Sequence, residues 1–184
     1  PPRSTLFPYT TLFRSAVIGK RGRNIPVIDA DDYIAGFMIM NDLSARVLQM
    51  QEMKLNLGPA KGKDFGSTFG PWLVTKDELA PHKQSSPDGD RYDLKMKAFV
   101  NDIQVSGDTF SNMTWTFAQI IERVSYGVDI FPGDIIGSGT CGTGCFLELN
   151  GSKITDNQWL NPGDTVSLEI EGLGTLKNKI LLSD

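Results

Sequence analysis

Apolar positions along the chain come in short bursts, and most are of strand length. Residues 16–20 (AVIGK) and 37–40 (FMIM) are continuous apolar runs, which predict buried strands. Residues 72–75 predict a further strand, and 94–100 alternates, turns at Asn101-Asp102 and returns over 103–105, the pattern of a hairpin. Two Pro-Gly-Asp turns, at 131–134 and 161–164, launch the strands 135–136 and 166–170, and 176–182 supplies the last strand. One long helical stripe stands out at 114–126, where Phe117, Ile120, Ile121 and Val124 oppose Gln119, Glu122 and Arg123. A shorter helix is predicted over 44–53 with Ser44 as its cap, and the acids of 29–33 mark another helix start. Loops are expected at 57–63, at the polar stretch 81–90 and at the glycine-rich 137–144. The pattern predicts a single domain, mainly β with a few short helices.

Composition narrows this further. The chain has 184 residues, 40% of them hydrophobic and 22% charged, with a net charge of −4. That suffices for one sizeable core and excludes an intrinsically disordered chain. The weakly acidic balance lacks the footprint of a nucleic-acid binder, and no apolar run reaches the ~20 residues of a membrane helix. Two cysteines fit a reducing, cytoplasmic setting. Residues 1–15 (PPRSTLFPYTTLFRS) carry no acid and neither period. Back-translated, they resemble a widely used sequencing-library adapter, so the expected division is a non-native segment 1–15 and a native part 16–184. The segment is expected to be irregular up to about Arg14.

Candidate chemistry gathers at two places. Asp42 emerges at the end of the 37–40 run, with Arg46 four residues on and Gln49 seven, all on one side of a short helix. Lys63 follows across a glycine-bearing loop. The set reads either as a salt-bridged strand end or as a metal ligand beside cations that hold an anionic substrate. The second place is 137–144 (GSGTCGTG), either an anion nest of backbone N–H groups or a tight inter-strand loop. Glu148 alternates with Leu147 and Leu149 and therefore faces away from them. Cys141, Cys145 and the single histidine, His82, are too few and too scattered for a zinc site or a catalytic triad. Met38, Met40, Met50 and Met53 read as core filling.

Residues 41–49 (NDLSARVLQ) resemble the N-D-x-S-A-R-x-x-Q strand end of the fumarylacetoacetate hydrolase family. Further blocks occur in the family's order: 16–20 (AVIGK), 33–36 (YIAG), 62–65 (GKDF), 70–75 (GPWLVT), 132–136 (PGDII), 138–140 (SGT) and 171–174 (EGLG). The resemblance implies a β-roll or β-sandwich of mixed sheets, a homodimer, and a divalent cation, Mg²⁺ or Mn²⁺. It makes Asp42 a metal ligand, and Arg46, Gln49 and Thr140 substrate-binding residues. Lys63 and Glu148 become the catalytic residues, the first polarising a carbonyl and the second orienting a water. Two further ligands in the family form a Glu-x-Glu ahead of the 16–20 block, and an ungapped count sets Thr11 and Phe13 there. The metal site is therefore expected to be incomplete and the chain to be the C-terminal core of a longer protein. The implied activity is metal-dependent hydrolysis of a C–C bond in acylpyruvate-like or β-dicarbonyl acids through a metal-stabilised enolate. Isomerisation, decarboxylation, or an inactive acid-binding or dimerising β-domain are the alternatives. Expected partners are small keto or dicarbonyl acids, without nucleic acid or membrane.

Overall fold

The structure, a computed structural model, describes residues 11–56 and 58–181. One sheet carries β3 (Ser67–Thr75), β2 (Ile34–Asp42), β1 (Thr11–Ile18) and β8 (Ile135–Cys145) in that order. The second carries β10 (Gly174–Lys179), β9 (Thr165–Ile170), β6 (Lys95–Val100) and β7 (Ile103–Thr109). Within the stretch 81–90, expected to be a loop, Lys83–Gln84 forms a short strand β4 that pairs with β5 (Arg91–Tyr92) just beyond it. Short helices α1 (Val27–Ala30), α2 (Arg46–Met53), α3 (Phe117–Ser125) and α4 (Phe146–Gly151) fill the connections. The chain is mainly β with a few short helices, as its patterning predicts, and the ladders among the described residues are antiparallel. None of the described helices is long and apolar enough to cross a membrane.

Local chemistry explains much of this. In β6, Met96, Ala98 and Val100 are buried while Lys95 and Lys97 face out, so the strand's alternation becomes its two faces. Asn101 and Asp102 adopt φ of +50° and +64°, the conformation a two-residue hairpin turn requires. Both Pro-Gly-Asp turns close identically: Asp134 accepts from the Phe131 N–H at 2.8 Å, and Asp164 from the Asn161 N–H at 2.7 Å.

The core lies between the sheets around Phe37, whose ring centroid is 4.9 Å from Tyr92, 5.4 Å from Phe110 and 5.5 Å from Phe117. Thr116 caps α3, accepting from the Gln119 N–H while the Gln119 side chain accepts from the Thr116 N–H. The helix is shorter than its stripe suggested. Its buried face uses Ala118 (0% exposed) rather than Val124 (41% exposed). Phe117, Ala118, Ile121 and Ser125 form the face turned to the core, which leaves Val124 to one side of it.

The amino-terminal expectation requires correction within the described residues. Thr11–Ile18 pairs on both sides, with Leu12↔Asn41 through Val17↔Gly36 on β2 and Thr11↔Cys145 through Val17↔Ile135 on β8. β1 is thus a central strand, and the expected irregularity up to Arg14 does not hold from Thr11 onward. Strands β2 and β8 each present backbone groups that need a partner between them. Leu12, Ala16 and Ile18 also alternate into the core. The remainder of the expected irregular segment lies outside the described residues.

Candidate active site

Alternation sorts the end of β2 into two faces. Ile39 and Asn41 are fully buried on the core side, and Met38, Met40 and Asp42 occupy the opposite, half-buried face. Lys63 Nζ donates to Asp42 Oδ2 at 2.6 Å, and the side chains retain only 24% and 14% exposure. Arg46 opens α2 and donates from Nη1 to Gln49 Oε1 at 2.6 Å. Ser44 is not the helix cap: Ala45 occupies that position without a side-chain bond, and Ser44 Oγ donates back to the Asp42 carbonyl at 3.2 Å. The chain bends between β2 and α2, and the Ser44 hydroxyl closes that bend.

The turn at 60–64 brings Lys63 to Asp42. The Gly62 carbonyl accepts from the Ala45 N–H at 2.8 Å, and Ala60 O accepts from the Lys63 and Asp64 N–H groups. A Cβ on Gly62 would lie 2.9 Å from Gln49 N, Cα and Cβ, closer than real contacts allow. Gly62→Ala is therefore expected to push the turn off α2 and to destabilise the protein by about 1–3 kcal/mol. A urea denaturation midpoint checks this, and an unchanged midpoint would mean that the turn shifts without cost.

The glycine-rich stretch is not a loop. Residues 137–144 lie within β8, and Glu148 sits on α4 rather than on an alternating strand. Thr140 owes its direction to a bulge. Ser138 approaches Arg14 on the core side (Nη1 to Oγ 3.5 Å), so strict alternation would turn Thr140 inward as well. Gly139 instead adopts φ +87°, and the ladder shifts between Phe13↔Thr140 and Ser15↔Gly137. Thr140 therefore lies in one cross-strand row with Phe13 and Met40, on the face that carries Asp42. Thr140 Oγ1 donates to Glu148 Oε1 at 3.4 Å, while Glu148 Oε2 is buried without a hydrogen-bond partner among the described residues.

The six candidate side chains thus form three contacting pairs: Asp42–Lys63, Arg46–Gln49 and Thr140–Glu148. The turn at 60–62 joins the first two. The third lies two strands away across Phe13, at roughly 12 Å by ordinary strand spacing. Patterning missed Gly139, Gly62 and Glu52, whose carboxylate binds the 60–62 backbone. Their effects depend on partners beyond any local spacing.

Whether this set suits a divalent cation depends on its oxygen donors. Mg²⁺ and Mn²⁺ take several oxygens, carboxylates above all. Asp42 is the carboxylate at this strand end, and it is bonded to Lys63. The register sets Phe13 opposite Met40 and Leu12 opposite Asn41; continued by one residue it would bring position 11 opposite Asp42, and neither Phe13 nor Thr11 is a carboxylate. Among the described residues no three His, Cys, Asp or Glu side chains come close enough to hold a metal ion. The residues present do not fit the ion.

The Fumarylacetoacetate (FAA) hydrolase C-terminal family model matches residues 15–181. Fumarylacetoacetase of Arabidopsis thaliana is 32% identical over 213 residues, covering 92% of this chain and 50% of the relative. Oxaloacetate tautomerase Fahd2a, mitochondrial, of Rattus norvegicus is 36% identical over 170 residues, covering 91% and 48%. The chain spans about half the length of the curated relatives it matches. A fumarylpyruvate hydrolase from Pseudomonas aeruginosa, solved in complex with Mn²⁺ and pyruvate, shares the fold at a TM-score of 0.79 and 22% identity, over 100% of this chain and 70% of that one. A 5-carboxymethyl-2-hydroxymuconate delta-isomerase from Mycobacterium smegmatis shares it at 0.74 and 24%, over 99% and 62%. The match across 15–181, on strands that carry the Asn41–Gln49 motif, makes this chain a member of the fumarylacetoacetate hydrolase family, over its C-terminal portion.

Proposed function

We propose that this chain is the substrate-holding core of an enzyme for small oxo acids, and that the whole protein hydrolyses a C–C bond in an acylpyruvate-like or other β-dicarbonyl acid. The observation that carries this reading is the Lys63–Asp42 ion pair at the end of β2, joined by the 60–62 turn to the helix that carries the Arg46–Gln49 pair. Cleavage between two carbonyl groups leaves the electron pair as an enolate, whose oxygen needs fixed positive charge. Lys63 is partly desolvated and held in place, so it can meet that oxygen with little reorganisation. Arg46 presents the planar fork that suits a substrate carboxylate, and Gln49 holds the fork in position. Thr140 donates to an oxygen at the far end of an extended acid. Glu148, with one buried oxygen unbonded among the described residues, orients the water that adds to the acyl carbon; the proton displaced from that water ends on the enolate carbon. In the whole protein a Mg²⁺ or Mn²⁺ would require carboxylates in addition to Asp42. The chain as it stands is accordingly expected to turn over poorly.

The same enolate without an added water gives isomerisation, tautomerisation or decarboxylation, and the similarity to the rat tautomerase favours this as the second reading. A cytoplasmic homodimer remains part of the proposal; Phe69, Trp72 and Leu73, exposed along β3, suit contact with a second copy. Calorimetry with oxalate tests the acid-binding site directly. The chain is expected to bind oxalate, and Arg46→Met and Lys63→Met are each expected to weaken binding about tenfold, or ~1.4 kcal/mol. Binding that ignores both substitutions would overturn the assignment. Pyruvate release from an acylpyruvate, against enol–keto conversion of oxaloacetate, separates the first reading from the second in the whole protein.

A further inference from the structure

Lys63 does not hold its place unaided, and the reason lies one helix away. Glu52, near the end of α2, turns its carboxylate onto the start of the 60–64 turn. Oε2 accepts from the Ala60 N–H at 3.0 Å and the Gly62 N–H at 3.0 Å, and Oε1 accepts from the Lys61 N–H at 2.7 Å. Those are the leading N–H groups of a helical turn, which has no carbonyl partners for them and carries partial positive charge. A carboxylate there satisfies all three donors at once. In accord with this, the Glu52 carboxyl is held below its ordinary range, chiefly by the Gly62 N–H.

We infer that Glu52 is a positioning residue for Lys63: it fastens the 60–62 backbone to α2 and thereby sets the Lys63 ammonium against Asp42. Three contacts define the geometry. Glu52 binds the turn from the end of α2, Ala45 N–H binds Gly62 O from its start, and Gly62 packs on Gln49 between them. Lys63 is the next residue, so its stem leaves a backbone held at both ends of the helix. Arg46 and Gln49 sit on that same helix. Glu52 therefore ties the substrate-holding cations into one unit, acting through the 60–62 backbone. Lys97, exposed on β6 and outside the 60–64 turn, serves as an internal reference. The role in catalysis rests on the reading that Lys63 meets a substrate oxygen. The tether itself does not.

The experiment has two arms. In the first, amine labelling by trinitrobenzenesulfonate is followed peptide by peptide in the chain, Glu52→Ala and Glu52→Gln. The ratio of Lys63 to Lys97 labelling is expected to rise at least threefold in Glu52→Ala. It should rise less in Glu52→Gln, which keeps an oxygen acceptor. An unchanged ratio in a folded Glu52→Ala variant overturns the inference. Should Glu52→Ala fail to fold, the smaller rise in Glu52→Gln decides the matter, and no rise there overturns it. In the second arm, oxalate affinity is measured for Glu52→Ala, Lys63→Met and the double variant. Glu52→Ala is expected to weaken binding severalfold in the chain and to change nothing once Lys63 is gone. Additive losses would mean that Glu52 does not act through Lys63. A wild-type chain that ignores oxalate defeats the acid-binding reading alone, and the labelling ratio still decides the tether.

Discussion

Glutamate at positions 11 and 13 together is expected to raise the affinity of this chain for Mg²⁺ or Mn²⁺ by at least about thirtyfold. The register Leu12↔Asn41 and Phe13↔Met40 sets position 13 on the face of Met40 and Asp42, and continued by one residue it brings position 11 opposite Asp42. Two added carboxylates would then share one ion with Asp42, and each charge-assisted contact contributes about 1–3 kcal/mol. Part of that gain is offset, because the ion must draw Asp42 away from Lys63. The double variant Thr11→Glu with Phe13→Glu should lose stability without metal, since Phe13 is half-buried near Met40 and Gly137. Added Mn²⁺ should restore it, because a ligand bound only by the folded state stabilises that state. Asp42→Asn in this background is expected to remove most of the gain. Titration calorimetry and the metal dependence of the melting temperature provide the check. Equal affinity in the unaltered and double variants would mean that this face is not where the family's cation sits.

Arg14→Leu combined with Asp108→Asn, which removes both partners of a buried ion pair, is expected to stabilise the protein, by about 1–4 kcal/mol. Arg14 lies between the sheets at 2% exposure, and its contacts are long. Nη2 is 3.5 Å from Asp108 Oδ2 and 3.5 Å from the Thr109 and Asn112 carbonyls, Nη1 is 3.5 Å from Ser138 Oγ, and Nε points at Met96 Sδ. Such contacts return little of the solvation a guanidinium loses on burial. In keeping with this, burial pushes the Arg14 pKa below its ordinary value. Leucine would fill the same space among Met96, Phe110 and the neighbouring core without a charge to desolvate. Arg14 pairs with Asp108 Oδ2, and asparagine at 108 keeps the oxygen corresponding to Oδ1, which accepts from Thr109 N–H at 2.8 Å and Asn112 Nδ2 at 2.9 Å, without leaving a carboxylate unpaired. For a chain of this size the melting temperature should rise by about 2–4 °C per kcal/mol. A lower melting temperature in the double variant would show that the guanidinium network stabilises the inter-sheet core after all. A buried arginine in this position is also what a foreign segment 1–15 would leave in a strand that the fold still uses, and we propose that origin for it.

Several elements were legible because their causes lie within a few residues. The β6–β7 hairpin follows from alternation on either side of Asn101-Asp102, and the two Pro-Gly-Asp turns from Asp side chains that reach back three residues. The 114–126 stripe located α3, though its ends moved inward because Thr116 caps the helix and the chain turns away at Tyr126. The family blocks were legible for a different reason: side chains such as Asp42, Arg46 and Gln49 keep one spacing whether or not the surrounding loops are understood.

By itself, then, the sequence determined a mainly β chain, the turns that divide it, its one well-formed helix, and a motif in which an acid, an arginine and a glutamine cluster after a strand. All of these rest on contacts between near neighbours, or on a linear spacing. Tertiary structure alone decided that Thr11 to Ser15 become half of a central strand, since the demand comes from β2 and β8, more than twenty and more than a hundred residues away. It decided that Thr140 faces Asp42's side of the sheet, because a bulge at Gly139 exists only relative to a partner strand. It put Glu148 on a helix against Thr140, buried the charge of Arg14, and closed Glu52 onto the 60–62 backbone. Pairing register and burial are properties of two segments at once, so no one segment's pattern can carry them.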